Sequence, residues 1–167
     1  MTQKDKIIDT SVAAQTGLGP TTLVAIEQYF PAAQRIIHDD LAQKILPTGY
    51  RFFVGMMRVP LLRNWMVRVV EKRVEGVWSG MACRKRYIDD QVLLAVTGEN
   101  SVDAVVNLGA GYDTRVYRLP ALANVPVWEV DQLVNIEAKQ KALQKALGKI
   151  PPHVTLVPIN FIEQELE

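Results

Sequence analysis

After Gly98 the sequence changes rhythm, and this change limits the fold more than any other feature. Three short valine-rich segments follow: "VDAVVNL" (residues 102–108), "VPVWEVD" (125–131) and "HVTLVPI" (153–159). β-Branched residues in runs of this length favour extended backbone. Between the second and third lies "LVNIEAKQKALQKALGK" (133–149), rich in Ala, Leu, Lys and Gln, with Glu137 four residues before Lys141 and Gly148 as a stop. That composition favours a helix with a defined end. Strands alternating with helices predict a parallel sheet, and right-handed crossovers lay the strands side by side. Three strands begin such a sheet without finishing it. With "FIEQELE" expected to start another helix, the sequence reads as the front part of something longer.

The first hundred residues read as helical. Pro31 is expected to open one helix over "PAAQRIIHDDLAQKIL", with Pro47 after its end, and Pro60 to open another over "PLLRNWMVRVVEKRVEGV". A third is expected over residues 84–97, closed by Gly98, with Ile88, Val92, Ala95 and Val96 on one inward face. Met56, Met57 and Trp65 fit the core, as apolar residues at helical spacing usually do.

The 167 residues are 49% hydrophobic and 22% charged, as suits a folded globular chain, and the net charge of +1 gives no field for non-specific nucleic-acid binding. The most apolar stretch, "FFVGMMRVPLLRNWMVRVV", is interrupted by Arg58, Pro60, Arg63 and Arg68 and is not expected to span a membrane. Cys83 is the only cysteine, which leaves no disulfide framework or thiolate metal site. A buried thiol and a reducing, cytoplasmic location are the expectation, with no metal.

The first strand runs into Gly109-Ala110-Gly111, a turn too tight for side chains, and in open parallel sheets the turn after the first strand lets backbone approach a ligand. Asp131, at the end of the second strand, stands where a carboxylate accepts from ribose hydroxyls. It equally suits capping of the helix that starts near Leu133. Glu129 is expected to point to the other face of the strand. A dinucleotide fingerprint needs a third glycine where Thr114 stands, and Asp113 adds a negative charge at the helix start. A phosphate-free adenosyl ligand with an ammonium and a carboxylate, S-adenosylmethionine, tolerates this better than NAD, so an NAD-dependent oxidoreductase is the less favoured reading.

"CRKRYIDD" (residues 83–90), "VVNLGAGYDTRVYRL", "VWEVDQ" and "LVPIN" follow one another in order and spacing. Together they resemble the leucine carboxyl methyltransferase-like family of S-adenosylmethionine-dependent methyltransferases, especially bacterial members assigned as O-methyltransferases. The resemblance extends to "DTSVAAQTG" and "RIIHDDLAQKILP" near the start. It implies an α/β fold, with an N-terminal helical cap (residues 1–100) before the first half of a Rossmann-like class I methyltransferase sheet (101–167). It further implies that Arg86 grips the methionine carboxylate, for which a planar guanidinium is suited; on spacing alone Arg86 also fits an ion pair with Asp89 or Asp90. Gly109, with Ala110 and Gly111, would lie against the cofactor, and Asp131 would hold the ribose. Asn160-Phe161 stands where family members commonly carry Asp-Leu at the adenine, and the amide oxygen of Asn160 is the weaker acceptor.

Methyl transfer from a sulfonium asks the protein to bind, align and exclude water, and the sequence singles out no catalytic base. His38 and His153 sit in ordinary helix and strand contexts. The acceptor would be a carboxylate or hydroxyl on a small molecule or protein. A truncated, non-catalytic interaction module is the alternative, and the chain alone is expected to turn over little. Its first strand, open at one edge, would favour self-association.

Overall fold

The computed structural model describes residues 17–160 and 164, so the expected helix over "FIEQELE" lies outside the described residues but for Gln164. The chain is α/β, with helices first and a three-stranded parallel sheet after them. The helices are α1 (Leu18–Glu27), α2 (Ala42–Ile45), α3 (Thr48–Met56), α4 (Pro60–Arg73) and α5 (Val77–Thr97). They precede β1 (Val105–Leu108), α6 (Arg115–Arg118), β2 (Val127–Asp131), α7 (Leu133–Leu147) and β3 (Val154–Pro158). Single 3-10 turns occupy Ala32–Gln34 and Pro120–Leu122.

The strand order is β1-β2-β3, with β1 at one edge. Register puts Val105, Val127 and Val154 in one row, where they meet Val116 and Leu122 in a buried cluster. The next row, Val106, Trp128 and Thr155, faces the other way and is exposed. α7 covers the buried face as the crossover between β2 and β3 and ends at Gly148, whose φ of 80° is open to glycine at little cost. On its far side α7 meets α2, and Leu143 joins Ile26, Ile37 and Ile45 in the larger core cluster. The helical region therefore packs on the sheet through α7.

Two helical expectations change. Residues 31–46 are not one helix: a 3-10 turn gives way to extended backbone at Arg35, and only Ala42–Ile45 is α-helical. Polar side chains take the backbone groups a helix would use. Glu27 accepts from the Ile36 amide, the Gln28 amide group bridges the Ile37 carbonyl and the Asp39 amide, and Asp39 accepts from the amides of Leu41 and Ala42. The helix opened by Pro60 stops at Arg73, and α5 starts seven residues before the expected position 84. Gly76 is left-handed (φ 75°) at this break, and the Glu71 carboxylate accepts from the amides of Gly76 and Trp78. At the other end Gly98 is required for space, since a Cβ there would lie 2.7 Å from the Leu94 carbonyl oxygen.

The inward face of α5 is only partly as expected. Ile88, Val92 and Val96 are half-buried, Ala95 is exposed, and the buried positions are Ala82, Lys85 and Asp89. Cys83 is exposed, not buried. Met57 is in the core, whereas Met56 and Trp65 are exposed, Trp65 at 63%. Among the described residues no helix is long and apolar enough to cross a membrane.

Candidate functional site

The glycine turn sits at the carboxyl end of β1 and is held from behind by β2. Gly109 (φ 64°) and Gly111 (φ 41°) are left-handed, a conformation that L side chains rarely adopt. The amides of Gly109 and Ala110 both donate to the Val130 carbonyl, at 2.8 and 3.1 Å. The Gly111 amide donates to Asp131 Oδ2 at 2.6 Å. All three turn amides thus point into the protein, and none is free to receive a pyrophosphate at this bend. This accounts better for the mismatch with a dinucleotide than the charge of Asp113, which is already paired.

Asp131 Oδ1 accepts from the Gln132 amide and from Asn135 Nδ2, both at 2.7 Å. Its contacts therefore join the glycine turn to the first turn of α7, combining the two roles open to it in the sequence. A carboxylate has about four acceptor positions. Three are used among the described residues, which leaves one for a ligand hydroxyl. Glu129 does not point to the opposite face: it lies two residues from Asp131, and a strand repeats every two, so both lie on the side covered by α6 and α7.

"DTRVYR" belongs to a buried charge cluster. Asp113 accepts from the Arg115 amide at 2.8 Å and pairs with its guanidinium at 3.0 Å. Arg115 and Arg118 both reach Asp89 on α5, and Arg118 also meets Asp39 at 3.5 Å. Thr114, fully buried, donates to the same Asp39 carboxylate. Three carboxylates face Lys85, Arg115 and Arg118, so formal charge balances. Burial pushes the Asp39 carboxyl up, against Thr114 and Arg118. Burial also opposes ionised Asp113, but Lys85 and Arg115 outweigh it and hold that carboxyl low. Burial lowers the Lys85 ammonium despite Asp113 and Asp39 nearby. Thr114 and Asp39 are 75 residues apart in the chain, and no local spacing announces such a contact.

A cleft of about 200 Å³ opens in front of the turn, between it, α1 and α5. Gly109, Ala110 and Gly111 line it, as do Thr21, Arg84 and Lys85. α1 is pinned over the turn by Thr21 Oγ1, which donates to the Tyr112 carbonyl at 3.2 Å. Arg86 is not in the cleft. Its side chain is 57% exposed and its Nε lies 2.9 Å from Asp90 Oδ1, the ion pair that spacing allowed. About 100° of helix per residue puts Arg86 roughly 200° from both Arg84 and Ile88, which do line the cleft. The structure thus brings Gly109, Ala110, Gly111 and Asp131 together, and the cations that line the cleft are Arg84, Lys85 and Arg115.

Asn160 is exposed just past β3; its amide donates to Gln164 Oε1 at 2.9 Å, and it does not line this cleft. Phe161 lies outside the described residues. His38 is exposed and His153 half-buried, neither at the cleft.

Known proteins resemble this arrangement in sequence. The family model for leucine carboxyl methyltransferase matches residues 17–167. A Mycobacterium avium protein named "Putative S-adenosyl-L-methionine-dependent methyltransferase" is 35% identical over 127 residues, covering 75% of this chain and 41% of that protein. A protein of the same name from Mycolicibacterium vanbaalenii is 33% identical over 130 residues, covering 77% of this chain and 42% of its own length. One from Mycobacterium tuberculosis is 33% identical over 109 residues, or 65% and 36%. The chain thus spans about two-fifths of the length of the curated relatives it matches. With the glycine turn, the strand-end carboxylate and the parallel sheet all inside the matched region, the chain belongs to the leucine carboxyl methyltransferase family.

Proposed function

We propose that this chain carries the S-adenosylmethionine-binding part of an O-methyltransferase, with a carboxylate or hydroxyl on a small molecule or protein as methyl acceptor. The observation that carries the reading is the turn at Gly109–Gly111. Its amides are all bonded back to β2, so it offers an adenosyl group a backbone whose one side chain is the buried methyl of Ala110, and offers no anion nest to a pyrophosphate. The residues present fit such a cofactor: Asp131, 7% exposed behind Gly111 and not itself lining the cleft, keeps an acceptor position for ribose, and Arg84 and Lys85 at the cleft supply positive charge for an amino-acid carboxylate. Arg86, paired with Asp90, is the weaker candidate for that contact.

When bound, the cofactor supplies a methyl group on a sulfonium, already electrophilic. The chain's part is then to hold and orient. Thr21 and α1 close over the turn and limit water, and the charge cluster behind Thr114 fixes the helical region to the sheet. A carboxylate acceptor would need no base at neutral pH. Exposed Cys83 suits a reducing, cytoplasmic setting. The open edge of β1 supports self-association as a further property.

Titration calorimetry of the chain with S-adenosylhomocysteine tests the reading. Saturable binding, with no response to NADH, is expected; the absence of heat with S-adenosylhomocysteine, or preference for NADH, refutes it.

A further inference from the structure

Beneath the glycine turn lies a second charged group that the proposed chemistry does not use. Glu129 on β2 and Lys139 on α7 are each 0% exposed, and their Oε1 and Nζ are 2.7 Å apart. Tyr117 on α6 donates its hydroxyl to Glu129 Oε2 at 2.6 Å, and the Lys139 ammonium stands 5.6 Å from the Tyr117 ring centroid. The ammonium also reaches the Ala110 carbonyl at a long 3.5 Å. Three elements therefore converge under the middle residue of the turn.

A buried ion pair is a poor way to gain stability, because desolvating both ions offsets most of their attraction, and apolar replacements of similar volume are often neutral or stabilising. What apolar groups cannot reproduce is direction. Glu129 accepts on both oxygens, from Lys139 and from Tyr117, so the spacing of β2, α7 and α6 is set by hydrogen-bond lengths. Ala110, buried above, is already tied to Val130 through its amide and to Asp113 through its carbonyl, so movement of these elements is passed directly to the turn.

We propose that Glu129, Lys139 and Tyr117 are positioning residues that hold Ala110, and with it the Gly109–Gly111 backbone, at the height the adenosyl group requires. The consequence for affinity rests on the cofactor reading above; the consequence for turn geometry does not. The test uses the full 167-residue chain and the double variant Glu129→Leu/Lys139→Met, compared by thermal unfolding, amide exchange at residues 109–111 without ligand, and calorimetry with S-adenosylhomocysteine. Expected are an unfolding midpoint equal to or above that of the parent, exchange about tenfold faster at the turn, and affinity about tenfold weaker. A folded double variant with parental exchange at the turn overturns the proposal. Should the double variant not fold, Tyr117→Phe, which removes one hydroxyl and keeps the ring, is expected to speed exchange at the turn about threefold; unchanged exchange there also overturns it. A parent that fails to bind S-adenosylhomocysteine sinks the cofactor reading alone, since exchange still decides the brace.

Discussion

Asp131 and Lys85 show how much a single side chain's meaning depends on its partners. Asp131 spends most of its acceptor capacity on its own fold, and Asp131→Asn would set the new amide group against one of the amide donors of Gly111 and Gln132. A buried donor left without an acceptor costs about 1–3 kcal/mol, so this variant is expected to lose about that much stability in urea unfolding, together with S-adenosylhomocysteine affinity. Lys85 and Arg86 are adjacent, yet one is buried at the cleft and the other is exposed. Calorimetry should find S-adenosylhomocysteine affinity within about twofold of the parent for Arg86→Ala, and about tenfold weaker for Lys85→Met, on the scale of one charged hydrogen bond. The reverse order would restore the role that the family resemblance implied for Arg86.

At the scale of elements, the segment between α1 and α2 is held by side chains and not by helical propensity. Asp39 is its centre, accepting from the amides of Leu41 and Ala42 and from Thr114 across the molecule. Removing one member of a buried charged network costs about 3–5 kcal/mol. Asp39→Ala is therefore expected to lower unfolding free energy by about that much in urea titration, and a loss below 1 kcal/mol would mean the network is not cooperative. Glu27 holds the other end of the segment. Burial raises its carboxyl above the ordinary 4.5, against the Ile36 and Ile37 amides and the charges of His38 and Arg35. The folded state therefore binds this proton more tightly than the unfolded state does. The resulting contribution is complete below about 4.5 and is lost as pH rises through the folded-state value. Glu27→Gln keeps the acceptor for Ile36 and removes the ionisation, so its stability relative to the parent should rise between pH 4 and pH 8 in paired denaturation curves. A flat difference across that range would contradict this.

Across the whole molecule, part of one sheet face is exposed, and the outer edges of β1 and β3 have no strand partner among the described residues. Val106 is 58% exposed, and Leu108 and Trp128 are also exposed, beside the unpaired edge of β1. Open valine-rich edges pair with other chains, and an outward lysine blocks that pairing. Sedimentation velocity should show weight-average mass rising with concentration for the parent and less so for Val106→Lys. A parent that stays monomeric at high concentration would show that the edge is not adhesive.

The sequence by itself determined the parallel α/β architecture, the crossover helix ended by Gly148, the helix start at Pro60 and the tight turn at Gly109 and Gly111. Each of these depends on short-range chemistry: valine-rich runs, proline's fixed φ and missing amide, and glycine's access to left-handed backbone. Tertiary structure alone decided that residues 31–46 abandon the helix, that Arg86 turns away while Lys85 turns in, and that "DTRVYR" pairs with Asp39 and Asp89. The physical reason is that buried charges need partners wherever the fold can bring them, and the bond from Thr114 spans 75 residues to reach Asp39. Periodicity reports which face of an element is apolar; it carries no information about which distant carboxylate will neutralise an arginine.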